Sequence, residues 1–228
     1  TTVETFTVPT DVSEITIEAW GGGGAGGFTN SGVAGGGGSG AYSKKTLSVS
    51  PGEVYDVTVG QAGTSGFGAV GTETDGGESK VTPSADPSDV IVLAKGGKSV
   101  SGTNTASGAA GGKATDGIGD IKLDGDNGSD SSGTDSGKGG DAPNDGGKGG
   151  QSVSATVDTN GIGGDPPGGG GSGSATNSTS QLGGAGAKGR IDITFTEFTF
   201  IQTDDGDFDE SSNWNVNDVP SSGDNAAI

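Results

Sequence analysis

Only oxygen-bearing side chains could build a reactive or metal-binding centre here, because the 228-residue chain contains no Cys, no His and no Met. Thiolate or imidazole zinc sites and His-dependent nucleophilic triads are thereby excluded. The densest carboxylate pattern is Asp124-Gly125-Asp126-Asn127-Gly128-Ser129-Asp130. Carboxylates at such spacing in a glycine-bearing turn suit a hard cation that takes several oxygen ligands. Asp124, Asp126 and Asp130 are therefore candidate calcium ligands. The stretch departs from an EF-hand loop, since Gly128 takes the fifth position and Asp135 stands where a bidentate Glu belongs. A solvated acidic loop accounts for the same residues. Asp204, Asp205, Asp207 and Asp209 make a second acidic cluster.

Two other chemistries fail on their spacing. Val90 to Ala94 followed by Gly96-Gly97-Lys98-Ser99 looks like a strand entering a phosphate loop, but Val92 occupies the place of the first glycine of that motif. The following Val100 to Asn104 offers no helix N-terminus to hold phosphates. Paired carboxylates could run glycoside hydrolysis, yet nothing in the sequence places two of them in a cleft, and aromatics for stacking sugars make up only 5%. No residue is assigned as catalytic, and the chain is read as non-enzymatic.

The elements that position these residues are strands. Phe6 and Val8 alternate with Thr5 and Thr7, and Ile15, Ile17 and Ala19 alternate with Thr16 and Glu18 before Trp20. Tyr42 to Val49, Val54 to Val59 and Val90 to Leu93 read as further strands, and Ile191, Ile193 and Phe195 repeat the alternation. Helix is opposed by the 52 glycines, each costing up to about 1 kcal/mol in a helix relative to Ala. With hydrophobic residues at 27%, no ordinary large apolar core is available, and backbone hydrogen bonding must carry the fold. Such a composition borders on disorder, but the strand periodicity and the ordered glycine doublets argue for a folded chain. The doublets Gly96-Gly97, Gly111-Gly112, Gly139-Gly140, Gly149-Gly150, Gly163-Gly164 and Gly183-Gly184 lack the collagen triplet. They fit short polyglycine-II legs joined by turns, three residues per turn with backbone groups free for neighbouring chains.

The net charge of −19 repels nucleic acid and anionic membrane. No apolar run approaches the ~20 residues of a membrane span, so no membrane insertion is expected. A chain that opens on Thr1 is expected to be a cleavage product or a piece of something longer.

A family resemblance is carried by Phe6 to Pro9, by Ile15-Thr16-Ile17-Glu18-Ala19-Trp20-Gly21-Gly22-Gly23-Gly24, and by Gly35 to Tyr42. It continues through Ser43-Lys44-Lys45, Leu47 to Gly52 and Tyr55 to Gly60. The chain resembles the glycine-rich domain of bacteriophage tail-fibre and adhesin-tip proteins and of some bacterial surface proteins. The resemblance implies an all-β domain over residues 1–197. Its small sandwich-like framework, from 1–20, 41–59, 79–94 and 189–197, would carry long glycine-rich loops, some packed as polyglycine-II helices, at a distal tip. Residues 198–228 read as an acidic linker and the start of a further β-rich surface module, because Gly206 through Asn213-Trp214 and Val219-Pro220 to Ile228 resembles the opening of β-rich repeat modules in large bacterial and phage surface proteins.

These readings lead to an extracellular structural or adhesive module, expected in a phage tail fibre or fibre tip at the virion surface and concerned with host attachment. The alternative is a secreted prokaryotic cell-surface or filament subunit. Expected partners are a host or neighbouring cell-surface component, further fibre modules and copies of the chain itself. Phe28 and Asn30 in one glycine-rich loop and Phe67 in another are the candidate receptor contacts, because an aromatic among glycines either plugs the loop base or offers area to a partner. Asn127 and Asn177 fall in glycosylation-type triplets.

Overall fold

The computed structural model describes residues 3–66 and 72–196. The strands are β1 Val3–Thr7, β2 Glu14–Trp20, β3 Gly32–Val33, β4 Tyr42–Ser48, β5 Val54–Thr58, β6 Ser79–Pro83, β7 Val92–Ala94, β8 Ile121–Leu123, β9 Ala175–Thr176 and β10 Arg190–Phe195. The fold is all-β, and helix among the described residues is confined to one 3-10 turn at Ala114–Asp116.

Two antiparallel four-stranded sheets, β1-β5-β6-β7 and β10-β2-β4-β8, pack face to face. Alternation in β2 sends Ile15, Ile17 and Ala19 inward, all fully buried, against Val81, Val92, Ala94 and Tyr55 of the other sheet. Phe6 and Phe195 close one side with ring centroids 6.0 Å apart. The strand expected from Val90 begins at Val92 instead; Ile91 still donates its N–H to the Val81 carbonyl at 3.0 Å. Strand β8 gave no sequence signal because all three of its residues are exposed, and pairing with β4 alone defines it.

Above the sandwich stands a second layer with almost no side chains in its interior. Trp20 hands the chain to Gly21, and successive N–H groups then bond to three different neighbours in rotation. Gly21, Gly24 and Gly27 donate to Ala41, Gly38 and Gly35, while Gly23 and Gly26 donate to Ala187 and Gly184. A partner that recurs every third residue is the mark of three residues per turn and hence of polyglycine II. At about 3.1 Å per residue, 21–27 spans roughly 20 Å.

Twelve such legs can be traced among the described residues, alternately leaving and rejoining the sandwich. The outgoing legs are 21–27, 60–63, 95–100, 125–129, 147–150 and 168–174. The returning legs are 34–41, 74–77, 108–112, 137–141, 161–165 and 183–188. Leg 34–41 donates to 168–174, 95–98 and 126–129, and accepts from 21–27, 109–112 and 137–140, so six neighbours surround it. Legs 21–27 and 168–174 are likewise each ringed by six. Three mutually adjacent points of a hexagonal net have nine further neighbours, and nine legs make up the rim.

The inner legs are buried throughout and contain only Gly, Ala and Ser. A Cβ built on Gly36 would fall inside the Lys138 carbonyl, and one on Gly26 inside that of Ser172, so the interior admits no larger residue there. Its hydroxyls bond to backbone: Ser39 donates to the Asp141 carbonyl at 2.7 Å and Ser174 to that of Gly27 at 3.0 Å. A belt joins the layers. Trp20 and Tyr42 rings lie 5.0 Å apart, the Arg190 guanidinium sits 4.4 Å over Trp20, and the indole N–H donates to the Pro143 carbonyl at 3.0 Å. The Tyr42 hydroxyl donates to Glu18, and burial together with that carboxylate pushes its pKa up.

Candidate functional site: the distal loop tip

Because legs run out and back in pairs, all six connections between paired legs gather at the end away from the sandwich. These connections are 28–33, 64–73, 101–107, 130–136, 151–160 and 175–182, the second described only in part. Five are sewn into one cap. Asn104, at φ +57°, turns its side chain across loop 28–33. Its Oδ1 accepts from Thr29 Oγ1 at 2.6 Å, Asn30 N at 2.9 Å and Ser31 N at 3.2 Å, and its Nδ2 donates to Asn30 Oδ1 at 2.8 Å. Asn tolerates that left-handed backbone at small cost. Thr29 and Gln181 exchange backbone hydrogen bonds, β3 pairs with β9, Thr159 pairs with Ala175, and Asp135 pairs with Ser154.

Asp158 is the strongest lock. One of its oxygens accepts from Thr176 Oγ1, Asn177 N and Ser178 N at 2.7–3.0 Å, and the other from Ser178 Oγ and Thr179 Oγ1 at 2.8 and 2.7 Å. The Thr179 hydroxyl, then the Asn177 amide, Ser178 and Thr176, hold its carboxyl well below the usual carboxylate range. A carboxylate so engaged serves as a clamp between loops 151–160 and 175–182. The outward surface of the cap is mostly amide and hydroxyl: Asn30, Ser31, Asn104, Thr156 and Asn177 to Ser180 are exposed, with Val157 at 67% the large apolar residue among them and Asp130 and Asp135 the exposed carboxylates.

The residues singled out from sequence are placed as follows. Phe28 lies at the base of loop 28–33 and is only 7% exposed; its carbonyl accepts from Asn104 N. Its ring is thus a plug and not a projecting contact, since a residue between a polyglycine leg and a loop can drop into the gap beneath the turn. Asn30 is exposed at the tip and joined to Asn104. Phe67 lies outside the described residues, as do the Asp204 to Asp209 cluster and everything from 197 onward.

Asp124, Asp126 and Asp130 are strung along one rim leg and not gathered. Asp124 accepts from Ala114 N at 2.6 Å, which holds its pKa down, while Asp130 accepts from Gly108 N at 2.8 Å. Six residues of polyglycine II separate these two by roughly 19 Å. Among the described residues no group of three acidic side chains is placed to hold a metal ion. Gly96-Gly97 belongs to a rim leg, where Gly97 donates its N–H to the Gly22 carbonyl and accepts from Gly76 N, both at 2.9 Å. Asn177 is exposed in the tip; Asn127 instead accepts from Gly111 N at 3.0 Å.

Sequence reasoning missed Asn104, Asp158 and Val157. The available signal was positional: each sits in a Ser/Thr-rich stretch between two glycine legs. No described helix is long and apolar enough to cross a membrane. A family model described as a glycine-rich domain matches residues 1–196. No curated protein matches the chain.

Proposed function

The chain belongs to the glycine-rich domain family, and from that premise we propose that it is an extracellular binding module whose loop tip meets a surface, most fittingly as the tip of a phage tail fibre contacting its host. The observation that carries this reading is the segregation of the molecule along one axis. Both ends of the described chain lie in sandwich strands β1 and β10, and the described residues of the loops between paired legs lie at the opposite pole. A module attached through its sandwich would present the loops, and nothing else, to whatever lies ahead. Loops on a rigid scaffold are where recognition concentrates, since they tolerate change without disturbing the fold.

The chemistry of the tip supports binding over catalysis. Asp158 and Asp130 already accept hydrogen bonds that fix the loops, and apart from the exposed Asp130 and Asp135 carboxylates the exposed groups are mostly neutral donors and acceptors suited to hydroxyl-rich ligands such as surface glycans. Alternating exposed amides and hydroxyls around Val157 would give shallow contacts, made effective through several copies on one particle. The test is exchange of loops 151–160 and 175–182 together for those of a relative, with the legs kept. Adsorption of particles or purified protein to host cells should change partner or disappear while melting is preserved; unchanged adsorption and host range would refute the reading.

A further inference from the structure

The rim of the glycine lattice is lined with charged side chains that are paired within the chain. Lys95 meets Glu78 at 2.8 Å, Lys98 meets Asp75 at 2.8 Å, and Lys113 meets Asp124 at 3.5 Å. Lys138 and Lys148 share Asp141 at 3.1 and 3.4 Å. Asp126 on leg 125–129 is exposed without an ion pair, and one sector of the rim leaves both a carboxylate and an ammonium group unpaired. Legs 161–165 and 183–188 run parallel, with Gly161 N and Gly164 N donating to the Leu182 and Ala185 carbonyls at 2.8 and 3.0 Å. With three residues per turn, Ile162 and Asp165 project on one side of the first leg, and Ala185 and Lys188 on one side of the second. All four are exposed, Ile162 to 47%. Asp165 and Lys188, at the sandwich end of their rows, carry opposite charges, and neither forms an ion pair among the described residues.

Between these rows lies Gly163. Most lattice glycines are forced by a neighbour that would collide with a Cβ, but a Cβ at Gly163 would meet nothing nearer than the Ala185 carbonyl at 3.5 Å, and its backbone is not in the left-handed region. Neither its N–H nor its carbonyl bonds within the described chain. The fold of a single chain thus gives no reason for glycine here. A backbone approaching from outside does.

We propose that this sector is a docking face for a second copy of the chain, with its two legs extending the hexagonal net across a two-fold axis parallel to the legs. Such an axis sets row 161–165 of one copy against row 183–188 of the other, so that Asp165 faces Lys188 of the second copy twice, with Lys188 one to two residues further toward the sandwich and within reach of its long side chain. The charge pattern is therefore self-complementary, as an isologous interface requires. The lattice already joins legs in parallel and antiparallel pairs, so a leg from another copy is a partner of the kind it accepts. The axis leaves both tips facing the same way, and the inference stands or falls independently of what the tips bind.

Sedimentation equilibrium of the chain across concentration and ionic strength tests it. The wild type should show a monomer–dimer equilibrium weakened by salt. Lys188→Glu should raise the dissociation constant at least about tenfold, and the double exchange Asp165→Lys with Lys188→Asp should restore it. Gly163→Val should abolish dimerisation while the monomer melts as before. A wild type that stays monomeric, or Gly163→Val and Lys188→Glu variants that dimerise like it, would overturn the proposal. Should Gly163→Val fail to fold, the proposal is equally overturned, because the site would then be crowded within one chain.

Discussion

At the scale of single residues, the glycines divide by what stands opposite them. Gly36 faces the Lys138 carbonyl with no room for a methyl group, and Gly163 faces water. In urea unfolding of the monomer, Gly36→Ala is expected to lose about 3 kcal/mol or more, because the backbone of a buried neighbour must move. Gly163→Ala is expected to be neutral or to gain about 0.4–1 kcal/mol, through the smaller entropy of its unfolded chain. Equal losses for the two would show that the lattice does not enforce its glycines one by one. Asp158 makes a second prediction. Its carboxyl titrates lower in the folded chain than in the unfolded one, where the ordinary value is about 3.9. The folded state is thus favoured by the ionised form: the contribution is complete above that value and is lost as pH falls further toward the folded pKa. Protection from hydrogen exchange at Asn177 N and Ser178 N, taken relative to the intrinsic rate at each pH, should fall on acidification below pH ~4, and Asp158→Asn should show the lower protection already at neutral pH with no further change.

At the scale of elements, the three-residue turn makes each leg a register. Lys138 and Asp141 project outward together while Gly139 and Gly140 face neighbouring legs. One glycine inserted between Gly139 and Gly140 rotates the following residue by about 120°, which aims the Asp141 side chain into the net. Such an insertion is expected to lower stability by several kcal/mol, whereas one at Thr134 in the connecting loop should cost less than about 1 kcal/mol. Thermal melts of the two variants would separate them, and similar melting would argue against a fixed register. The same geometry explains what was legible in the sequence. A Gly-Gly doublet with longer side chains on either flank is a rim leg, with two positions of each turn inward and one in water except at Gly163; the runs Gly21 to Gly27, Ala34 to Ala41 and Gly168 to Ser174 are inner legs, with none in water. Ile15, Ile17 and Ile193 revealed the sandwich by alternation. Which leg lies beside which was not readable, because glycine carries no side chain to encode a partner, and β8 was hidden for want of a buried face. The tip resisted for another reason: Asn104 and Asp158 act through hydrogen bonds between loops far apart in sequence, and Phe28, which the sequence left open as loop plug or contact, is drawn under its own turn.

At the scale of the whole molecule, the buried apolar side chains belong mostly to the sandwich, and the lattice buries mainly peptide groups. Exposing apolar surface raises the heat capacity of unfolding and exposing polar surface lowers it. Scanning calorimetry should therefore give a heat-capacity increment clearly below the usual ~12–15 cal/mol/K per residue and a correspondingly shallow stability curve. An increment within that range would mean that apolar burial dominates after all. The layout of the bonds has a mechanical consequence as well. Every leg lies along the axis from sandwich to tip, and the bonds between legs run across it. A pull on the tip, resisted at the far end of β10, loads those bonds in shear, so that many must slip together. A sideways pull on one rim leg would instead peel them in succession. The molecule is thus a brittle rod along its length and a zipper across its width.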